Sequence, residues 1–129
     1  MYFNIGTPSN PGSPFQQANP EFRDLGLWDT TGNPGDRGLF RIPTLRNVEL
    51  TAPYLHNGFF ETLEEVVEFY SKGDIAPEYA VTVADDGFYN TGITLTRQEI
   101  NDIVAFLKVL TDRNYMPAET LEAAATQTD

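Results

Sequence analysis

The placement of proline and glycine divides this 129-residue chain in two. Seven of its nine prolines and seven of its ten glycines fall within the first 58 residues, where they cut "GTPSNPGSP" and "TTGNPGDRG" into turns. A proline lacks the N–H that a ladder needs. Pro43 and Pro53 therefore restrict the short apolar groups Leu39-Phe40 and Ile42 to isolated bridges or edge strands. The first half is expected to be mostly irregular, with no large sheet.

The pattern changes at Thr62. "TLEE" reads as a capping box, in which the Thr62 hydroxyl accepts from the Glu65 amide while the Glu65 carboxylate reaches back to the Thr62 N–H. It opens a helix to about Ser71, and Gly73 supplies the stop. Leu63, Val66, Val67 and Tyr70 recur at helical spacing on one face, which turns Tyr70 inward. A second box, "TRQE" at Thr96 to Glu99, opens a longer helix with an apolar stripe of Ile100, Ile103, Val104, Leu107 and Leu110. Between the helices a short strand is expected at Tyr79 to Val83, with a turn at Asp85-Asp86-Gly87. The tail after Pro117 reads as weakly helical or frayed. Two amphipathic helices beside so much loop need something to cover their stripes. Either the loops pack well, or a large apolar object such as a cofactor or partner domain completes the core.

Composition removes several functional classes. Nineteen acidic against eight basic side chains give a formal charge of -11, which repels a phosphate backbone, so nucleic-acid binding is not expected. No apolar run approaches the roughly 18 residues needed to span a bilayer. Cysteine is absent, which excludes disulfides, thiolate metal sites and cysteine nucleophiles. There is no G-x-S-x-G elbow to make His56 part of a hydrolase triad, and no phosphate-binding loop with its lysine. The acidic stretch "ETLEEVVE" reads as a solvated face that can also steer a basic partner.

His56, the one histidine in the chain, lies in "LTAPYLHNGFF". On residue type alone it is a metal ligand, a catalytic base or a hydrogen-bonded structural residue. The blocks "PTLRN", "LTAPYLHNG" and "TLEEVVEFY" follow one another in an order and spacing that resemble the C-terminal haem domain of the bacterial dihaem cytochrome c peroxidases and their MauG-like relatives. "LTRQEINDIVAFLKVLT" is similar to the helix that closes that domain. The resemblance covers about residues 36 to 112, preceded by a loop-rich lead-in at 1–35 and followed by a tail at 113–129. "YFNIGT" is also similar to a family segment, although a histidine often stands where this chain has Phe3.

The resemblance implies a mostly α fold: the C-terminal part of a cytochrome c-like domain, with two main helices and long Pro/Gly-rich loops. It also implies a peroxidase-type oxidoreductase that transfers electrons and is located in the periplasm. Tyr70 matches the distal ligand of the second haem iron, where classical members carry methionine and MauG-like members carry tyrosine. Thr51 and Pro53 match positions whose backbone carbonyls bind a calcium ion. His56 is placed near the haem without binding its iron, leaving a structural role and proton transfer both open. Arg46 is the candidate partner of a haem propionate, since a guanidinium binds a carboxylate in bidentate fashion. Trp28 and Tyr54 are candidate relay aromatics, or simply packing.

A c-type haem is attached through C-x-x-C-H, and this chain cannot supply that run. The haem c is therefore expected to be held by an upstream domain or a companion chain. A small redox protein or a protein substrate would be the further partner. The competing expectation is a haem-free binding or structural module that keeps the scaffold and acts through a partner chain. An in-frame C-x-x-C-H run in the upstream DNA separates the two.

Overall fold

The computed structural model describes residues 1–73, 93–112 and 114. The expected strand at Tyr79 to Val83, the turn at Asp85 to Gly87 and the tail after Pro117 lie outside the described residues. Among the described residues the fold is mainly helical. Two short helices, α1 (Pro14–Ala18) and α2 (Trp28–Thr31), precede two longer ones, α3 (Leu63–Lys72) and α4 (Arg97–Val109). Two 3-10 turns, Pro34–Asp36 and Val48–Leu50, lie between them.

As the prolines and glycines of the first half require, extended structure is minimal among the described residues. Strands β1 (Tyr2–Phe3) and β2 (Phe40–Arg41) form one antiparallel pair, with Tyr2 opposite Arg41 and Phe3 opposite Phe40. Isolated bridges join Gly26 to Leu39 and Tyr54 to Phe60. Gly26 has φ +70°, and a Cβ there would stand 2.6 Å from the Leu39 carbonyl oxygen, so only glycine allows the two backbones to approach this closely.

Both capping boxes form. Thr62 and Thr96 accept from the amides of Glu65 and Glu99, whose carboxylates take the threonine N–H groups at 2.9 and 2.8 Å. Gly73 ends α3 in the left-handed conformation at φ 65°, donating its N–H to the Phe69 carbonyl. The carboxylates of Glu65 and Glu99 are held below the usual carboxylate range by these cap hydrogen bonds.

The core is the seam where the two amphipathic faces meet. Leu63 and Val67 of α3 and Ile100 and Val104 of α4 are buried with Tyr54, and Val48, Phe60, Val66, Leu95 and Leu107 pack around them. The far end of α4 is tied to the "LRN" loop: Asn47 donates its N–H to the Leu110 carbonyl at 3.1 Å and accepts from the Asp112 amide at 2.7 Å. The Thr111 hydroxyl donates to Glu49 at 2.9 Å.

Two positions in the expected stripes are not inside. Tyr70 is 39% exposed, and Ile103 is also exposed. Among the described residues, three polar contacts meet α3 at its Tyr70 end. The Ile93 amide donates to the Tyr70 carbonyl at 3.4 Å, the Leu95 amide to Ser71 Oγ at 3.0 Å, and Arg97 to Glu68 at 2.5 Å. These contacts satisfy backbone and charge, and Tyr70 stays partly exposed. Helical spacing gave the direction of Tyr70 along the stripe, while its burial depended on what lies over that end of α3.

Candidate functional site

The "LTAPYLHNG" stretch folds as a tight loop closed at its base. Thr51 ends the Val48–Leu50 turn, its N–H and hydroxyl both donating to the Val48 carbonyl at 3.2 and 3.0 Å. The Ala52–Pro53 bond is cis. The Tyr54 amide then donates to the Phe60 carbonyl at 2.7 Å, closing residues 55 to 59 into an arch whose Leu55, Asn57 and Gly58 are half-buried. Leu55 and Gly58 turn the chain at φ 66° each, and a Cβ on Gly58 would press within 3.1 Å of the Pro53 ring.

The lead-in segment holds this arch in place. Asn10 Nδ2 donates to the carbonyls of Asn57 and Gly58, both at 3.1 Å, and Asn57 Nδ2 donates to the Pro8 carbonyl at 2.7 Å. His56 is fixed twice over. Its ring stacks on Phe40 with centroids 3.6 Å apart and 17° between the planes. Its Nε2 lies 2.5 Å from Asp24 Oδ2, with both side chains about a quarter exposed. The imidazole thus joins the arch to the lead-in through Asp24 and to the strand pair through Phe40. Sequence reasoning missed Asp24 and Phe40. They are 32 and 16 residues away, and neither carries a local signal that would name it.

Tyr70 lies at the end of a row of aromatic rings. From Phe59 to Phe60, Phe69 and Tyr70 the centroids are spaced 4.9, 5.5 and 5.7 Å. Phe59 and Ile93, whose amide bonds the Tyr70 carbonyl, are exposed like Tyr70 itself. Exposed Phe59, Ile93 and Tyr70 present apolar or aromatic surface that water solvates poorly. A phenolate is a hard anionic ligand for ferric iron, and a porphyrin is a flat apolar body, so donor and surroundings both fit that group.

The remaining candidates are distributed along the loops. Arg46 is exposed, with its amide on the Thr44 hydroxyl at 3.2 Å. Thr51 and Pro53 are exposed on the same loop, and no three His, Asp or Glu side chains converge among the described residues. A calcium ion here would thus depend on carbonyls together with ligands from elsewhere. Trp28 begins α2, and the Arg37 guanidinium lies over its ring at 5.6 Å. Tyr54 is a core residue. Burial, and secondarily the charges of Glu49 and Glu64, raise its hydroxyl above the ordinary tyrosine range. Its position among Leu63, Val67 and Ile100 favours packing over relay.

No protein-family model matches the chain. Among curated proteins it is 39% identical over 98 residues to the cytochrome c551 peroxidase of Nitrosomonas europaea, covering 76% of this chain and 24% of that protein. It is 33% identical over 136 residues to the methylamine utilization protein MauG of Paracoccus denitrificans, covering 90% of this chain and 35% of that protein. The chain therefore spans about a quarter to a third of the length of these relatives. Among solved structures it is similar to the crystal structure of a MauG-like protein associated with microbial copper homeostasis. The TM-score is 0.66 at 38% identity, over 88% of this chain and 33% of the other. Sequence blocks, helical frame and structural likeness agree: the chain belongs to the cytochrome c peroxidase and MauG-like family.

Proposed function

We propose that this chain forms one wall of a c-type haem pocket in a peroxidase-family oxidoreductase, with Tyr70 as the distal ligand of the iron. The observation that carries the reading is Tyr70, 39% exposed at the end of a row of aromatic rings. The haem would be attached by a C-x-x-C-H run outside these 129 residues. When bound, it supplies the redox chemistry of peroxide-dependent oxidation. The chain's own part is to offer a hard anionic ligand, which favours ferric over ferrous iron, and to exclude water from that face. Arg46 would pair with a propionate, and the carbonyls of Thr51 and Pro53 would contribute to a calcium site. His56, anchored by Asp24 and Phe40, would hold the loop that carries those carbonyls. The setting is periplasmic, and the reducing or oxidised partner is a small redox protein or a protein substrate. The acidic surface would steer a basic partner toward it.

The direct test is Tyr70→Met in the haem-loaded protein. Replacing phenolate by a neutral thioether raises the reduction potential of the second haem, read by spectroelectrochemical titration. An unchanged potential rules out axial ligation by Tyr70. The absence of cysteine favours one alternative, a haem-free module acting through a partner chain. A haem stain that is negative on every polypeptide of the native complex would select that alternative.

A further inference from the structure

Away from Tyr70, a cleft of about 790 Å³ opens between α1, the lead-in and the His56 arch. That volume is within the roughly 300–1,000 Å³ typical of small-ligand sites. Three features describe its chemistry. First, Phe15 and Phe22 line it edge to face with centroids 5.1 Å apart. Both are exposed, at 59% and 41%, and neither belongs to the core. They form an apolar shelf that a flat ring would cover.

Second, the lining is cationic in a chain whose net charge is -11. Arg23 and Arg37 line the cleft against one carboxylate, Asp24, which is already engaged by His56. The Arg37 guanidinium is held over Trp28, so little freedom is lost when it meets an anion. Third, two lining residues carry enclosed polar atoms without hydrogen-bond partners, Arg37 Nε and Asn57 Oδ1. A buried donor and a buried acceptor left unpaired are unfavourable, and a small side-chain shift toward a ligand's polar atoms would relieve both.

We propose that this cleft binds a small aromatic carboxylate, with its ring on the Phe15–Phe22 shelf and its carboxylate on Arg37 and Arg23. The inference does not depend on Tyr70 or on iron ligation. The same chemistry, an apolar ring bearing a carboxylate, also exists at the propionate edge of a haem, so the test must separate a free acid from the cofactor.

The experiment is isothermal titration of the purified protein, in its haem-loaded and haem-free forms, with benzoate and with the uncharged isostere benzamide. Saturable binding of benzoate is expected in both forms, about tenfold or more tighter than benzamide because only the carboxylate makes charge-assisted contacts with Arg37 and Arg23. Arg23→Gln, an exposed substitution with little bearing on folding, is expected to weaken benzoate but not benzamide, and Arg37→Gln to do so more strongly. Equal affinity for the two probes, or no saturable heat with benzoate, overturns the proposal. So does benzoate affinity unchanged in both variants. Binding confined to the haem-free form also overturns it, by assigning the cleft to the cofactor's own carboxylate.

Discussion

At the scale of single residues, the structure separates what helical phase specifies from what it leaves open. Tyr70 is on the stripe that its spacing indicates, yet it is exposed, because phase gives direction and burial depends on the neighbour. His56 could be placed in a family loop from "PYLHNG", but its partner Asp24, 32 residues earlier, had no signal in a segment of turns. That pair supports a prediction. Asp24→Ala removes the link between lead-in and arch while leaving the Phe40 stack, and should lower stability by about 0.5–1 kcal/mol, the range of a partly exposed hydrogen bond. Urea melts of the two proteins read the difference. An unchanged midpoint would show that the Asn10 and Asn57 clamps hold the arch unaided.

At the scale of elements, the helices were legible because capping and periodicity are local. Thr62 with Glu65, Thr96 with Glu99, and the stop at Gly73 all appear where the residue types require. The short elements of the first half were not legible. Four-residue α2 and the two-residue strands arise from long-range contacts such as Phe3 opposite Phe40, which no window of sequence contains. Thr62→Ala and Thr96→Ala should each cost about 1 kcal/mol, read as a lower denaturation midpoint. The boxes also set a pH dependence. Glu65 and Glu99 have folded-state pKa values depressed below their unfolded values. Their contribution is therefore present above the unfolded carboxylate pKa and is lost as pH falls through the folded values. Helical circular dichroism should weaken over that acid range, and less so in the Thr62→Ala, Thr96→Ala double variant. An identical acid profile in the two proteins would contradict this account of the caps.

At the scale of the whole molecule, the inventory is incomplete in a specific way. The described core is one seam of buried Leu63, Val67, Ile100, Val104 and Tyr54, while Phe106 on α4 is 60% exposed and Tyr70, Phe59 and Ile93 are exposed as well. A small core with apolar faces uncovered is weakly stable in water. Residues 1–129 expressed alone should accordingly be colourless and marginally stable or prone to aggregate. A sharp cooperative melt of that haem-free monomer would show that the faces need no cover. Cysteine-free composition and the two stripes made this incompleteness visible from sequence. What would cover such faces has no signal in these residues, and the relatives are about three to four times the length matched here.

The claim on which the rest depends is that the Tyr70 phenol faces haem iron. It is tested most directly by the ferric absorption spectrum of the natively purified protein, recorded beside that of Tyr70→Phe. The account predicts a c-type haem spectrum whose iron-ligand bands change when the phenol oxygen is removed. A protein with no haem absorption, or a haem spectrum identical in the two forms, would contradict it.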